Sequence, residues 1–292
     1  MKKYSGLITA LATPFIGGEL DISSFRRLVQ FQKQNGVDGF VVNGTTGESP
    51  TLSTEEVLRL LEATKAEVGD DVSVIVGTGS NSTKKTIENT KRAKEWGAEA
   101  ALVVVPYYNK PTQAGLVAHF QAIAENSEIP IILYNVPGRT VTALSLEAIQ
   151  ELSTHENVIG IKEASGDIGF GRKIREAVGE TFLITSGDDA TCIELCSTVG
   201  DGVISVISHI IPKQLKQALS EVKKNSGASK LFTEKFGSLL EAIYLESNPI
   251  GVKRALAEME VFDSAELRLP LLEMSPEATA KLKTELVKLE LI

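Results

Sequence analysis

The chain has 292 residues, of which 42% are hydrophobic and 23% are charged, a composition typical of water-soluble globular proteins. Its formal net charge of −8 argues against nucleic acids and anionic membranes as partners, but not against small acidic substrates, which respond to local charge. Neither a membrane-length apolar run nor a positively charged leader precedes the first predicted strand, so we expect a cytoplasmic protein.

The cysteines and histidines are too few and too scattered to predict a metal site. Cys192 and Cys196 lie four positions apart on a predicted helix, where we expect buried small residues, because a metal would need more ligands. His119, His155 and His209 are far apart in the sequence.

Short apolar segments alternate with longer amphipathic segments along most of the chain. The apolar segments are nearly continuous runs of Val, Ile and Leu, which is typical of parallel strands covered on both faces. We predict eight strands, over Leu7–Thr13, Gly39–Asn43, Val72–Val76, Ala101–Val105, Ile129–Tyr134, Val158–Lys162, Phe182–Thr185 and Gly202–Val206.

Each predicted strand is followed by a segment with the 3.6-residue periodicity of a helix. These segments are Ile22–Asn35, Thr54–Val68, Lys84–Trp96, Gln113–Asn126, Leu146–Leu152, Ile168–Val178, Ala190–Thr198 and Pro212–Asn225. Eight βα units in succession favour a (β/α)8 barrel of the α/β class over a doubly wound sheet.

The last part of the chain shows no strand pattern. It predicts three amphipathic helices, two of which begin at a proline, over Ser229–Leu245, Pro249–Met259 and Pro276–Leu289. We therefore divide the chain into a catalytic TIM barrel over residues 1–227 and a small C-terminal helical domain over residues 228–292.

Residues at the carboxyl ends of the strands are the candidates for chemistry, because active sites of such barrels lie on the loops there. The sixth predicted strand ends in Lys162, followed by Glu163. Burial disfavours the charged form of an amine, and a neutral lysine can attack a carbonyl to form a Schiff base. The alternative is that Lys162 and Glu163 are a solvated strand end.

The fifth predicted strand ends in Tyr134, one βα unit before Lys162, so both side chains are expected at the same mouth of the barrel. A phenol at this position can exchange protons with a substrate. Arg139, five residues further on, offers a forked donor that suits a carboxylate.

Two other loops carry polar candidates. Thr45 and Thr46 lie between two glycines after the second strand, where their hydroxyls and amides can bind a carboxylate or relay a proton, although such loops are also ordinary turns. Tyr107 and Tyr108 follow the fourth strand in a proline-flanked loop, and they are either packing aromatics or include one functional phenol.

Six motifs in this order resemble the dihydrodipicolinate synthase family, a branch of the class I aldolases that includes N-acetylneuraminate lyase. The motifs are GTTGES at 44–49, PYYNKPTQAGL at 106–116, YNVPGRT at 134–140, GIKEASGD at 160–167, SGDD at 186–189 and DGVISV at 201–206. The similarity continues through NPIGVKRAL at 248–256 and LRLPL at 267–271. It implies a (β/α)8 barrel with a helical tail, assembled as a homotetramer of tight dimers.

The resemblance also implies catalytic roles for individual residues. Lys162 would form the Schiff base with pyruvate, and Tyr134 would donate and accept protons at the bound pyruvate. Thr45 would link Tyr134 to Tyr108, which in this family reaches in from the neighbouring subunit.

Substrate-binding roles follow in the same way. Thr46 would hold the pyruvate carboxylate, and the backbone of Ile204 would line the site. Arg139 would bind the carboxylate of aspartate semialdehyde.

The implied reaction is the condensation of pyruvate with aspartate semialdehyde in lysine and diaminopimelate biosynthesis, with no metal or organic cofactor. One alternative is another pyruvate-dependent aldolase acting on a sugar acid or a hydroxy-oxo acid, although Arg139 and the paired threonines speak against sialic acid lyases. The other is a non-catalytic binding protein, against which the intact set of Lys162, Tyr134, Thr45 and Tyr108 speaks.

Lysine-inhibited members of the family bind lysine near the tight dimer interface. Three matching residues are Ser49, Asn81 and Tyr107. Thr54 and Val57 stand where strongly regulated bacterial members carry histidines, and Lys85 stands where they carry a glutamate that faces the ligand's ammonium groups. We therefore expect weak or absent feedback by lysine.

Overall fold

The computed structural model describes residues 3–69, 72–222 and 227–292, and within these ranges eight parallel strands close into a barrel. Each strand pairs with the next in the chain, and the last pairs with the first, as the alternating pattern predicts. The strands are β1 (Gly6–Ala10), β2 (Gly39–Val42), β3 (Ser73–Gly77), β4 (Ala100–Val104), β5 (Ile131–Asn135), β6 (Val158–Glu163), β7 (Leu183–Ser186) and β8 (Gly202–Ser205). The predicted (β/α)8 barrel is confirmed.

Apolar side chains fill the inside of the barrel as well as the layer between strands and helices. Alternate residues of each strand point inward, and those of neighbouring strands meet at the same level, as Ile8 does with its register partner Ile204. The inner cluster includes Ile8, Val41, Ile75, Leu102, Ile132, Tyr134 and Ile204. Because this interior is packed, only the ends of the strands are open to a ligand.

Helices surround the strands at nearly the predicted positions. They are α1 (Ile22–Gln34), α2 (Thr54–Val68), α3 (Thr83–Glu95), α4 (Gln113–Glu125), α5 (Leu146–Leu152), α6 (Ile168–Val178), α7 (Cys192–Thr198) and α8 (Pro212–Glu221). The last residues predicted for α8, 223–225, lie outside the described ranges. Helix α2 shows why the starts are well marked, since Ser53 and Glu56 form a capping box in which each side chain accepts the other's backbone N–H.

The C-terminal helical part contains α9 (Ala228–Ile243), α10 (Ile250–Glu258) and α11 (Pro276–Lys288), which pack against one another. The boundary at residues 227/228 stays a prediction. In the described portion of the chain, no helix combines the length and the apolar character needed to cross a membrane.

Several short elements lie on the loops and were not predicted. They are the antiparallel strands Phe15–Ile16 and Glu19–Leu20, and the short helices Ser49–Thr51, Pro137–Thr140 and Ile207–His209. Each is too short to show a period in the sequence, and tertiary contacts hold them in place. Cys192 and Cys196 are both buried, as predicted.

Candidate active site

Lys162 and Tyr134 lie side by side where β6 and β5 end. They are register partners, and the Lys162 Nζ lies 4.4 Å from the centroid of the Tyr134 ring. Lys162 is 5% exposed and Tyr134 is 7% exposed. The alternative of a solvated strand end is wrong, because Glu163 is buried as well. A buried amine beside a phenol is suited to attack on a carbonyl with proton exchange.

Gly187, directly after β7, leaves room for the lysine side chain. A Cβ on Gly187 would lie 2.7 Å from Lys162 Cε and 2.9 Å from Cγ, and 2.7 Å from the Cβ of Ala164. Any other residue would therefore displace the lysine or the strand end. The sequence motif SGDD contains this glycine, but no sequence signal showed that it faces Lys162.

The loop after β2 holds the two threonines. Thr46 is buried, and its Oγ1 accepts a hydrogen bond from Asn248 Nδ2 at 3.0 Å. Thr45 is partly buried, and its carbonyl accepts the Glu48 N–H in a tight turn. The link from Thr45 to Tyr134 stays a prediction.

A buried ion pair fixes this loop to the C-terminal helices. Lys253 Nζ on α10 lies 2.6 Å from Glu48 Oε1, and both side chains are fully buried. The second oxygen of Glu48 accepts the Arg268 N–H at 3.0 Å, while the Lys253 ammonium lies 4.4 Å from the Phe15 ring centroid. Burial lowers the pKa of Lys253 to about 8, and Glu48 opposes that shift. Because an unpaired buried charge is costly, the pair strongly constrains the loop that carries Thr45 and Thr46.

Asn248 joins two of the three substrate-binding candidates, Thr46 and Arg139. Its side chain donates to Thr46, and its carbonyl accepts from the Arg139 guanidinium at 3.0 Å. Arg139 lies in the short helix Pro137–Thr140 and is exposed, so its guanidinium remains accessible to a carboxylate. Asn248 lies within the NPIGVKRAL motif, but no local pattern predicts its role, because its partners Arg139 and Thr46 are 109 and 202 positions away in the chain.

Ile204 lies on the inner face of β8 and is 1% exposed. The backbone that follows β8 is held by Asp189, whose Oδ2 accepts the N–H groups of Val206 at 3.0 Å and Ile207 at 2.8 Å. Burial raises the pKa of the Asp189 carboxyl, and these hydrogen bonds oppose the shift. Asp189 therefore connects the loops after β7 and β8.

Tyr108 stands apart from these residues in the single chain. It is 88% exposed, and its φ of +75° places it in the left-handed region, which costs a tyrosine roughly 1–3 kcal/mol. Tyr107 is also exposed, so the alternative of two core-packing aromatics is wrong within this chain. Asn109 anchors the loop by donating to the Asn81 carbonyl at 2.9 Å. Strain of this kind is retained where a conformation serves a site or an interface.

The chain matches a family model described as the dihydrodipicolinate synthetase family over residues 3–289. One similar protein is named 4-hydroxy-tetrahydrodipicolinate synthase and comes from Bdellovibrio bacteriovorus. It is 48% identical over 289 residues, covering 99% of each chain.

Solved structures agree with this similarity. A chloride-inhibited dihydrodipicolinate synthase from Acinetobacter baumannii, complexed with pyruvate, has a TM-score of 0.95 at 40% identity, covering 99% of each chain. The enzyme from Cyanidioschyzon merolae with lysine bound has a TM-score of 0.96 at 36% identity, covering 100% of each chain.

Proposed function

Because the chain belongs to the dihydrodipicolinate synthetase family, we propose that it is a lyase with 4-hydroxy-tetrahydrodipicolinate synthase activity. It condenses pyruvate with aspartate semialdehyde in lysine and diaminopimelate biosynthesis. The observation that carries this proposal is the buried pair of Lys162 and Tyr134, with the amine 4.4 Å from the centroid of the phenol ring. The relative from A. baumannii, complexed with pyruvate, supports the first substrate.

Lys162 acts as the nucleophile. Its neutral amine attacks the pyruvate ketone, and loss of water leaves an imine on Nζ. Removal of a proton from the pyruvate methyl group gives an enamine, whose carbon attacks the aldehyde of aspartate semialdehyde. The amino group of the adduct then attacks the imine carbon, which closes the ring and releases Lys162. No cofactor takes part in these steps.

Tyr134 moves the protons that these steps require, and Thr45 passes them to Tyr108. The buried position of Tyr134 keeps water from the imine. Thr46 binds the pyruvate carboxylate, and the backbone of Ile204 lines the site. Arg139 binds the carboxylate of the semialdehyde.

The working assembly is a homotetramer of tight dimers in the cytoplasm. Support comes from Tyr108, which is exposed and strained in the single chain although its proposed partners are buried or partly buried. A second subunit that inserts Tyr108 into the neighbouring site would complete the proton path.

The proposed function is tested by borohydride reduction of the enzyme with pyruvate, followed by intact mass measurement. We expect one reduced pyruvate adduct per chain, and its absence would overturn the Schiff-base mechanism. Pyruvate should then be supplied with aspartate semialdehyde and, separately, with aldehydes that lead to sugar acids. Consumption of a sugar-acid aldehyde in place of aspartate semialdehyde would favour the alternative aldolase.

Shared sites predict complementation between two inactive variants. Tyr108→Phe and Lys162→Ala subunits, mixed and allowed to exchange, should regain activity, because one site of each hybrid dimer then has both Lys162 and Tyr108. Random pairing places such a site in half of the dimers, so on the order of a quarter of the original activity should return. The measurement is the initial rate of the mixture compared with that of each parent.

The matched control mixes Tyr134→Phe with Lys162→Ala. Both residues of this pair belong to one chain and one barrel mouth, so no hybrid contains an intact site, and the rate should not rise. A Tyr108→Phe mixture that behaves like this control would contradict the shared site.

We expect the enzyme to be insensitive to millimolar L-lysine. Lys85 is exposed in the first turn of α3, where a carboxylate would attract the ammonium groups of the ligand. A lysine in place of that carboxylate removes an attractive contact worth about 1–3 kcal/mol and repels the ammonium groups of the ligand. A loss of that size weakens affinity about 5- to 150-fold. The measurement is the initial rate against added L-lysine at fixed pyruvate and saturating aspartate semialdehyde.

The matched variant for lysine binding is Lys85→Glu, which restores the attractive charge and should increase inhibition. Thr54 is exposed and Val57 is buried, so neither supplies a titrating group to compensate. Half-inhibition of the unchanged enzyme below about one millimolar would contradict this prediction.

A further inference from the structure

The residues that follow Tyr134 and Lys162 are themselves joined by a hydrogen bond. Asn135 and Glu163 are register partners, and Asn135 Nδ2 donates to Glu163 Oε2 at 2.7 Å. Asn135 is 1% exposed and Glu163 is 3% exposed. Because side chains alternate along a strand, this pair lies on the outer face of the barrel while Tyr134 and Lys162 face the interior.

The remaining polar atoms of the pair also have defined partners. Glu163 Oε1 accepts the Ser165 N–H at 2.6 Å, and Asn135 Oδ1 accepts the Leu144 N–H at 3.0 Å. The Leu144 donor fixes the orientation of the amide, so that its nitrogen must face Glu163. Burial raises the pKa of Glu163, and the hydrogen bonds from Ser165 and Asn135 oppose that rise. The buried acid is thus tolerated through bonds that tie it to its neighbours.

The pairing of β5 with β6 is irregular at its other end. Ile131 pairs with Val158 but Ile132 pairs with Gly160, so one residue of β6 is left out of the ladder. A slip of one residue turns every side chain to the opposite face of the sheet. The side-chain bond between Asn135 and Glu163 fixes the register after this irregularity, one residue beyond Tyr134 and Lys162.

We propose that Asn135 and Glu163 are positioning residues that hold the phenol of Tyr134 against the amine of Lys162. This inference rests on the proposed function, because it gives the pair a role only if Lys162 and Tyr134 react with substrate. Neither member of the outer pair faces the mouth. Its loss should therefore lower kcat, whereas the KM for pyruvate should change little, since Thr46 is held independently by Asn248.

Two single variants break the pair in different ways. In Glu163→Gln, one of the two acceptor oxygens becomes an amide nitrogen. That nitrogen must face either the Ser165 N–H or the Asn135 Nδ2, so two hydrogen-bond donors point at each other. Asn135→Asp places two carboxylates together. We expect each to lower kcat about 10- to 100-fold, the effect of one unpaired buried polar group.

The double variant Asn135→Asp/Glu163→Gln should restore kcat to within about threefold of the unchanged enzyme, since it replaces every lost bond. The new amide nitrogen donates to the new carboxylate, and the amide oxygen still accepts the Ser165 N–H. The second carboxylate oxygen accepts the Leu144 N–H. Asn135→Ser breaks the pair without adding a charge and serves as a further single variant where either of the others fails to fold.

The control is Thr90→Val. It removes the buried hydrogen bond between the hydroxyls of Thr78 and Thr90, which are 2.8 Å apart and lie away from the Asn135–Glu163 pair. It should lower the melting temperature and leave kcat unchanged. Two results would overturn the inference: single variants with normal kcat, or a folded double variant that is as slow as the single variants. Either result leaves the proposed function standing as long as borohydride still traps pyruvate on the unchanged enzyme. Failure of that trapping would overturn the proposed function, and this inference with it.

Discussion

Replacing Lys162 with alanine should abolish covalent trapping of pyruvate by borohydride while the protein remains folded. The amine is the only part of the side chain that can form the imine, and truncation removes it. Lys162→Arg should fail in the same way, because a guanidinium stays protonated. The measurement is the intact mass after reduction, with circular dichroism to verify the fold.

The control for this experiment is a lysine outside the mouth. Lys84 on α3 has an exposed side chain, so Lys84→Ala should trap pyruvate normally. Peptide mapping should place the adduct of the unchanged enzyme at Lys162 and not at Lys253, whose buried ammonium is paired with Glu48. An adduct that survives in Lys162→Ala would show that another amine is the nucleophile.

The barrel could be predicted because its strands are buried on both faces and its helices have a clear period. Once the fold is a barrel, consecutive strands must be neighbours, and this places Tyr134 beside Lys162 without any further information. That the two residues are neighbours therefore follows from two strand ends and one rule of topology. In the structure the Lys162 Nζ lies 4.4 Å from the centroid of the Tyr134 ring. The structure adds that Lys162 and Tyr134 are almost fully buried. The sequence alone did not decide between a buried lysine and a solvated strand end.

The supports of the site could not be predicted in the same way. The contact between Glu48 and Lys253 joins residues 205 positions apart, and a charged residue in a loop and another in a helix carry no mark of their pairing. The same holds for Asn248, which contacts both Thr46 and Arg139, and for Gly187, whose missing side chain makes room for Lys162. Such contacts depend on how the C-terminal helices pack on the barrel, which no periodic pattern encodes.

Tyr108 marks a different limit. A phenol in a proline-flanked loop is compatible with packing, with catalysis or with an interface, and composition does not separate these roles. The structure excludes packing in the core of its own chain, because the side chain is 88% exposed. What remains depends on a second subunit, which the complementation experiment addresses directly.

Tyr134→Phe should lower kcat by about 10²–10⁴, the usual contribution of a positioned acid–base group. The substitution removes one hydroxyl and keeps the ring that packs in the inner cluster, so the barrel should remain folded. The matched control is Tyr4→Phe. Tyr4 lies at the opposite end of the barrel, before β1, and its buried phenol donates to the Glu99 carbonyl at 3.0 Å.

Tyr4→Phe should therefore reduce stability by about 1 kcal/mol, the worth of one hydrogen bond, and leave kcat unchanged. Steady-state kinetics and thermal unfolding of the two variants distinguish the effects. Loss of a proton carrier lowers kcat, whereas loss of a buried phenol hydroxyl lowers only stability. Single-turnover trapping should also show slower imine formation in Tyr134→Phe, because the departing water needs a proton from the phenol. If Tyr134→Phe keeps more than about a tenth of kcat, another group moves the protons at Lys162.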